Sequence, residues 1–201
     1  AEFNPEHISA YCLKIEENTH FYKIKDTLLL PNEDEQYKMY LTMCERLYQL
    51  GYEQYEISNF SKKGFRCVHN LKYWLSKEYV AFGPSAHSYV DGVRYSYRGD
   101  INEYMESIEN GTLPRKELEA TYELTQEKKM DEYVMLRLRL SDGVDTKEFE
   151  RRFAISFNER YKKLEMYVKN GYVTEKNGNY AFTPKGFFVS NYILSDILEN
   201  I

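Results

Sequence analysis

The pattern of apolar and polar positions predicts two short strands separated by one helix near the start of the chain. Apolar residues alternate with polar ones over residues 8–13 and again over residues 52–58, which is typical of strands. Between them, residues 37–48 carry apolar side chains at three- and four-residue spacing, and Gly51 ends this amphipathic helix. Because a helix joins the two strands, βαβ logic predicts that they are parallel neighbours in one sheet.

Helical periodicity and turn signals dominate the second half of the chain. Amphipathic helices are predicted over residues 124–140, after Asp145 as the capping residue, and over residues 158–170. Two alternating segments flank an Asn-Gly turn at residues 176–179, which predicts a β-hairpin, and a last helix begins at Pro184. Three helices, a two-stranded wing and a final helix form the element order of a winged helix.

The composition changes after Pro114, so we predict two domains, residues 1–114 and residues 115–201. The predicted fold class is α/β followed by a mainly α part. A further short helix is expected over residues 102–110, ending at Gly111.

Composition and charge exclude several classes of protein. Hydrophobic residues make up 42% of the 201 residues, which argues against disorder. The net charge of −5 lacks the basic footprint of a general nucleic-acid binder. No apolar run approaches the roughly 20 residues of a membrane span, and no export signal precedes the first strand. We therefore expect a cytoplasmic protein that binds no nucleic acid, and the non-methionine start indicates a boundary within a longer protein.

The three cysteines are poor candidates for a shared metal site. Cys12, Cys44 and Cys67 lie more than 20 residues apart, whereas metal sites usually draw at least two ligands from one tight loop. We predict three reduced thiols, with Cys12 and Cys44 as small core residues.

The most informative segment for chemistry is residues 69–74, whose sequence is His-Asn-Leu-Lys-Tyr-Trp. A neutral histidine can ligate iron, an asparagine can orient it, and two aromatic rings can contact a flat macrocycle. The alternative is a hydrogen-bonding turn in a loop, which is the commoner role of a His-Asn pair.

A second segment, residues 83–88, is rich in small residues that permit a tight turn or a close approach to a ligand. The aromatic content is high, 16%, and it has two interpretations: a surface on which a flat ligand stacks, or an aromatic core.

Several segments together resemble the oxygen-independent coproporphyrinogen III oxidase-like branch of the radical SAM proteins, and within it the haem-chaperone (HemW) type. The resemblance extends over nearly the whole chain. The matching segments are residues 5–11, residues 13–16, residues 52–60, Cys67 with His69, Asn70, Tyr73 and Trp74, Gly83 with residues 86–89, residues 136–138 with Gly143 and Val144, and residues 183–186 with Ser190 and Asn191.

This resemblance implies the end of a partial (β/α)6 barrel followed by a winged-helix-like HemN C-terminal domain. It implies a longer parent protein with a [4Fe–4S] cluster and S-adenosylmethionine, while the cysteine loop that holds the cluster is not in this sequence. It also implies haem as a ligand, a haem-acceptor protein as a partner, and haem contacts at His69, Asn70, Tyr73 and Trp74. Gly83 and His87 are expected to face a cofactor.

One departure from the family pattern affects the second segment. Pro84 stands where family members often have a flexible glycine, which weakens the expectation of a backbone contact to a cofactor there. Cys67, beside the histidine motif, is either an additional iron ligand or an ordinary thiol.

Three functions compete at this point. The first is a haem chaperone that delivers haem to acceptor proteins, and the second is an oxygen-independent coproporphyrinogen III oxidase in porphyrin biosynthesis. Without the cluster cysteines, this chain is expected to be inactive as a radical enzyme. The third is DNA binding by the winged helix, which the balanced charges of residues 158–170 argue against.

Overall fold

The structure, a computed structural model, describes residues 3–114, 116–118 and 125–198, which contain both helices and sheets. The described strands are β1 (His7–Ser9), β2 (Glu53–Gln54), β3 (Asn59–Ser61), β4 (His87–Val90), β5 (Val93–Tyr97), β6 (Lys116–Leu118), β7 (Val144–Asp145), β8 (Val173–Lys176) and β9 (Asn179–Phe182). The described helices are α1 (His20–Ile24), α2 (Glu33–Gln49), α3 (Val68–Trp74), α4 (Ile101–Glu109), α5 (Gln126–Leu138), α6 (Thr146–Phe153), α7 (Phe157–Arg160), α8 (Leu164–Lys169), α9 (Pro184–Phe188) and α10 (Ser190–Ile197).

The described residues form two compact units. The first unit combines the residues up to Cys67 with those from Arg137 onward, and the second contains those from Val68 to Leu136. None of the described helices has both the length and the apolar character that a bilayer crossing requires.

The first sheet of the first unit has the order β1-β3-β2, with both pairs antiparallel. The first two predicted strands therefore run parallel, as predicted, but the prediction that they are neighbours is wrong, because β3 lies between them. After β2 the chain turns back tightly, with the Tyr55 N–H donating to the Asn59 carbonyl at 3.1 Å, and this turn inserts β3 between them. Residues 52–58 contribute only the two residues of β2 to this sheet, and Glu56 forms an isolated antiparallel bridge with Leu140 instead.

The strand β1 is also shorter than its alternating pattern predicts. It ends at Ser9, and one further backbone bond joins Ala10 to the Ser58 carbonyl at 2.8 Å. The following side chains, Tyr11 and Leu13 among them, are exposed. Cys12 is exposed as well, so the prediction that it is a core residue is wrong, whereas Cys44 is buried as predicted.

The predicted helix over residues 37–48 is confirmed as part of α2. Its first turn holds a capping box, in which the Glu35 N–H donates to Oδ1 of Asn32 at 3.0 Å and the Asn32 N–H donates to Glu35 at 2.9 Å. These reciprocal bonds satisfy two backbone donors that a helix start otherwise leaves unpaired.

The second sheet of the first unit has the order β7-β9-β8 and contains the predicted hairpin. Asn177 and Gly178 at its turn both have positive φ, 56° and 80°, as an Asn-Gly hairpin turn requires. The predicted cap at Asp145 is confirmed, since its side chain accepts from the Glu148 N–H at 3.0 Å. The helix predicted over residues 158–170 is interrupted and forms α7 and α8.

Aromatic packing explains that interruption. The chain leaves the helical path at Tyr161, whose ring is buried 5.1 Å from Phe157 and 5.7 Å from Phe149. Leu164, at the start of α8, is buried as well. The aromatic-core interpretation of the composition therefore holds for this part of the chain.

The second unit contains the antiparallel sheet β4-β5-β6 with the helices α3 and α4. The short helix predicted over residues 102–110 is confirmed as α4, which Asp100 caps by accepting from the Asn102 and Glu103 N–H groups. The long predicted helix is observed as α5, while its predicted start at Leu124 lies outside the described residues.

Candidate functional site

The helix α3 carries all four residues of the predicted haem-contact motif. The segment is helical, whereas the sequence analysis placed the His-Asn pair in a loop; residues 68–74 contain neither glycine nor proline and complete two helical turns. Backbone bonds from Leu75 to the Leu71 carbonyl and from Lys77 to the Lys72 carbonyl, both under 3.0 Å, continue the helix and close its end.

Helical spacing arranges the motif as two pairs. His69 and Tyr73 are four residues apart and share one face, while Asn70 and Trp74 share the neighbouring face. The His69 side chain is exposed, whereas Asn70 and Trp74 are half-buried. The imidazole is thus the solvent-accessible group of the motif, together with the partly exposed ring of Tyr73.

A hydrogen bond links the first pair directly. The Tyr73 hydroxyl lies 3.0 Å from Nε2 of His69, and the two rings meet edge to face with centroids 5.1 Å apart. A phenol can donate to a neutral imidazole nitrogen or accept from its N–H, so Tyr73 fixes the orientation of the ring in either tautomer.

A row of aromatic rings extends from this pair. Tyr73 stacks at a tilt on Tyr79 with centroids 4.4 Å apart, and Tyr79 lies 6.4 Å from Tyr89. Two backbone hydrogen bonds of 2.9 Å hold Tyr79 and Tyr89 opposite each other, and the guanidinium of Arg94 lies 5.4 Å from the Tyr89 ring. Neither Tyr79 nor the pairing of Tyr79 with Tyr89 was predicted from the sequence, because only the backbone pairing of two separated segments brings their rings together.

The second predicted segment is a structured turn. Gly83 has φ +116°, a conformation that glycine adopts without strain, and its N–H donates to the Tyr104 hydroxyl at 2.9 Å. That N–H is therefore already engaged by α4. His87 is exposed in β4, opposite Ser96 of β5.

The motif of residues 55–60 forms a buried polar network in the first unit. Glu56 is almost fully buried and accepts from the Asn59 side-chain amide and, at 3.3 Å, from the Ser58 N–H. Ser9 of β1 donates to Asn59 at 2.5 Å, so the network connects two strands. Burial raises the pKa of the Glu56 carboxyl, and the backbone N–H of Ser58 partly offsets this effect.

The cysteines do not provide a cluster site. Cys12 is exposed, Cys67 is half-buried before α3, and burial raises the pKa of the Cys44 thiol to about 11. Within the described ranges, no group of three or more His, Cys, Asp or Glu side chains is arranged to hold a metal ion. The residues here therefore do not fit a [4Fe–4S] cluster, whereas the exposed imidazole of His69 fits an axial bond to a haem iron.

Comparison with known proteins identifies relatives along the whole chain. Residues 124–189 match the family model of the HemN C-terminal domain. The haem chaperone HemW of Buchnera aphidicola subsp. Schizaphis graminum is 35% identical over 203 residues, covering 98% of this chain and 51% of the relative. HemW of Bacillus subtilis is 31% identical, covering 98% and 52% respectively, and HemW of Escherichia coli is 28% identical, covering 96% and 50%. The chain thus spans about half the length of the curated relatives it matches.

A solved structure has the same fold. The radical SAM enzyme coproporphyrinogen III oxidase (HemN) from Escherichia coli matches 100% of this chain with a TM-score of 0.70, at 16% identity and over 49% of the enzyme. These matches define the class, the proteins that carry a HemN C-terminal domain. Within this class the chain is a homologue of the HemW-type proteins.

Proposed function

We propose that this chain is the haem-binding part of a HemW-like protein, which binds haem and delivers it to an acceptor protein. The observation that carries the proposal is the exposed imidazole of His69, which Tyr73 orients. The rings of Tyr79 and Tyr89 extend the aromatic surface beside it. The curated relatives are named haem chaperones, which supports the chaperone function. The alternative, a coproporphyrinogen III oxidase, is supported only by a similar fold.

Each residue of the motif has a proposed role. His69 binds the iron, Tyr73 orients its imidazole, and Asn70 and Trp74 contact the macrocycle. The binding nitrogen is Nδ1, because Tyr73 already engages Nε2. Gly83 and His87 belong to a cofactor-facing segment in this proposal. Because the Gly83 N–H is bonded to Tyr104, Gly83 shapes the turn of this segment and does not donate to the cofactor.

The remaining proposals concern the longer protein. A [4Fe–4S] cluster and S-adenosylmethionine would be held by residues outside this chain. We propose a cytoplasmic protein that binds no nucleic acid, with residues 1–114 as the end of a partial (β/α)6 barrel. Residues 115–201 would form a winged-helix-like domain, which the match to the HemN C-terminal domain and the hairpin after three helical segments support.

Titration with haemin tests the proposal. The chain should give a shifted Soret band that saturates at one haemin per chain, and His69→Ala should weaken binding at least tenfold because the axial bond is lost. His20→Ala, which removes another exposed histidine, is the matched control for unspecific adhesion. Cys67→Ser tests the neighbouring thiol as a second iron ligand.

Two results would contradict this assignment. Equal titrations of the parent chain, His69→Ala and His20→Ala would mean that His69 is not a ligand. Loss of the Soret shift in Cys67→Ser alone would move the axial bond to the thiol.

A further inference from the structure

The helix α4 presents an apolar stripe to solvent. Ile101, Met105 and Ile108 are 60%, 52% and 54% exposed, and at 100° per residue they lie within about 60° of one another around the helix axis. A surface helix normally turns such a stripe toward a core, so its exposure indicates an unpartnered face.

The side of α4 that adjoins the stripe already has partners within its own unit. Tyr104 accepts from the Gly83 N–H at 2.9 Å, and its ring lies 5.9 Å from that of the buried Tyr97. The helix is therefore anchored in the orientation that leaves the stripe outward. The exposed face is a fixed feature of this unit and does not depend on a loosely attached helix.

The charged side chains of α4 and its two ends are all acidic, and one of them, Glu103, is paired with Arg98 at 3.2 Å. Residues 100–111 contain four acidic residues and no lysine or arginine. Asp100 and Glu103 lie at the start of α4, where the helix dipole favours negative charge, but Glu106 and Glu109 lie toward its end, where the dipole disfavours it. Neither of these two carboxylates has an ion pair among the described side chains. Around the axis, Glu106 lies about 140° and Glu109 about 80° from Ile101, both on the side of Met105.

We infer that α4 is a docking surface for a cationic amphipathic helix of a partner protein. The apolar ridge at i, i+4 and i+7 spacing matches the ridge-into-groove packing of two helices. Lysine or arginine beside the partner's ridge would meet Glu106 and Glu109 and relieve their repulsion from the helix end.

The same charges argue against two other occupants. An isologous dimer of this chain through α4 would bring a second acidic flank against the first. An anionic membrane surface attracts basic segments and would be repelled by this one. The inference also stands apart from haem binding, because it rests on the surface of α4 alone.

A fluorescent peptide tests the inference. The probe is a helical peptide of about 14 residues, about 21 Å long, with leucines at i, i+3, i+4 and i+7 spacing and lysines beside them. Its counterpart carries glutamates in place of the lysines. In fluorescence anisotropy, the 201-residue chain should bind the lysine peptide at least tenfold more tightly than the glutamate peptide.

Variants locate the surface. Met105→Ser should weaken binding of the lysine peptide about tenfold, the loss expected when one buried apolar side chain is removed. Met166→Ser, at a 49% exposed methionine of α8, is the matched control and should change affinity less than twofold. Glu106→Gln combined with Glu109→Gln should weaken binding and reduce its salt dependence, unlike Glu17→Gln combined with Glu53→Gln, which removes two other exposed carboxylates.

Several outcomes would overturn the inference. One is equal binding of the two peptides, and another is equal weakening by Met105→Ser and Met166→Ser. A dimer in light scattering that Met105→Ser dissociates would instead assign the face to a second copy of this chain.

Discussion

At the scale of single residues, the hydroxyl of Tyr73 decides how His69 can act. It lies 3.0 Å from Nε2, so iron that binds Nδ1 gains an imidazole held in place, whereas iron that binds Nε2 must first displace the tyrosine. The two possibilities predict opposite effects of removing the hydroxyl. Our proposal commits to Nδ1.

Tyr73→Phe keeps the aromatic ring and removes only the hydroxyl. We expect about tenfold weaker haemin binding, the lower end of the losses caused by removing an outer-shell partner of a metal ligand. Tyr48→Phe, at an exposed tyrosine of α2, is the control. Soret titrations measure both. Tighter binding in Tyr73→Phe would show that the iron competes with Tyr73 for Nε2.

Glu56 is a second residue whose surroundings lead to a testable prediction, the pH dependence of folding stability. Its carboxyl is buried in the network with Ser9 and Asn59, and burial raises its pKa above the ordinary value of 4.5. The folded protein thus holds the Glu56 proton more strongly than the unfolded chain. The stabilisation from Glu56 is complete below the unfolded pKa and is lost as pH rises through the folded pKa.

Glu56→Gln should therefore have a pH-dependent effect on stability. The free energy of unfolding of the wild type, minus that of Glu56→Gln, should fall as pH rises above about 4.5 and level off above the folded pKa. Urea denaturation at several pH values measures it, with Glu53→Gln as the control for loss of one exposed carboxylate. A difference that rises over this range would mean that the hydrogen bonds outweigh burial.

At the scale of elements, close backbone packing fixes the position of α9 against the residues just before β8. A Cβ on Gly186 would lie 2.0 Å from the Tyr172 carbonyl oxygen and 3.0 Å from the Phe182 ring. The Thr183 hydroxyl caps α9 and also donates to the Gly171 carbonyl at 2.9 Å. The start of α9 therefore has little room to shift.

Gly186→Ala should destabilise the protein although alanine is the better helix former. We expect a loss of about 2 kcal/mol or more, because overpacking against backbone outweighs the gain of about 1 kcal/mol in helix propensity. Gly171→Ala, where nothing lies within 4 Å but φ is +74°, should cost about 1 kcal/mol through strain alone. Chemical denaturation measures both, and an equal or smaller loss in Gly186→Ala would contradict the packing argument.

Elements with strong local signals could be predicted from the sequence. The periodicity of α2 and the Asn177-Gly178 turn each lie within one continuous segment, and both elements are observed. The position of β3 between β1 and β2 depends on pairing over about 50 residues, which no local pattern contains. For the candidate site, a resemblance carried by one short segment was enough to predict the motif residues, but the neighbouring Tyr79 and Tyr89 become a pair only through a bridge.

At the scale of the whole molecule, the net charge of −5 affects every charged ligand before contact. Haemin carries two propionates, so a long-range field of negative sign slows its approach, whereas the same field accelerates the approach of a lysine-rich peptide. Salt screens both effects: the Debye length shortens from about 30 Å at 0.01 M ionic strength to about 8 Å at 0.15 M.

The two association rates should therefore respond to salt with opposite signs. Between 0.01 M and 0.15 M, we expect the association rate constant of haemin to rise and that of the lysine peptide to fall, each by a few-fold or more. Stopped-flow measurements with dilute, monomeric haemin provide the first rate and peptide fluorescence the second. Rates that fall together would mean that haemin approaches a local cationic surface whose field outweighs the net charge.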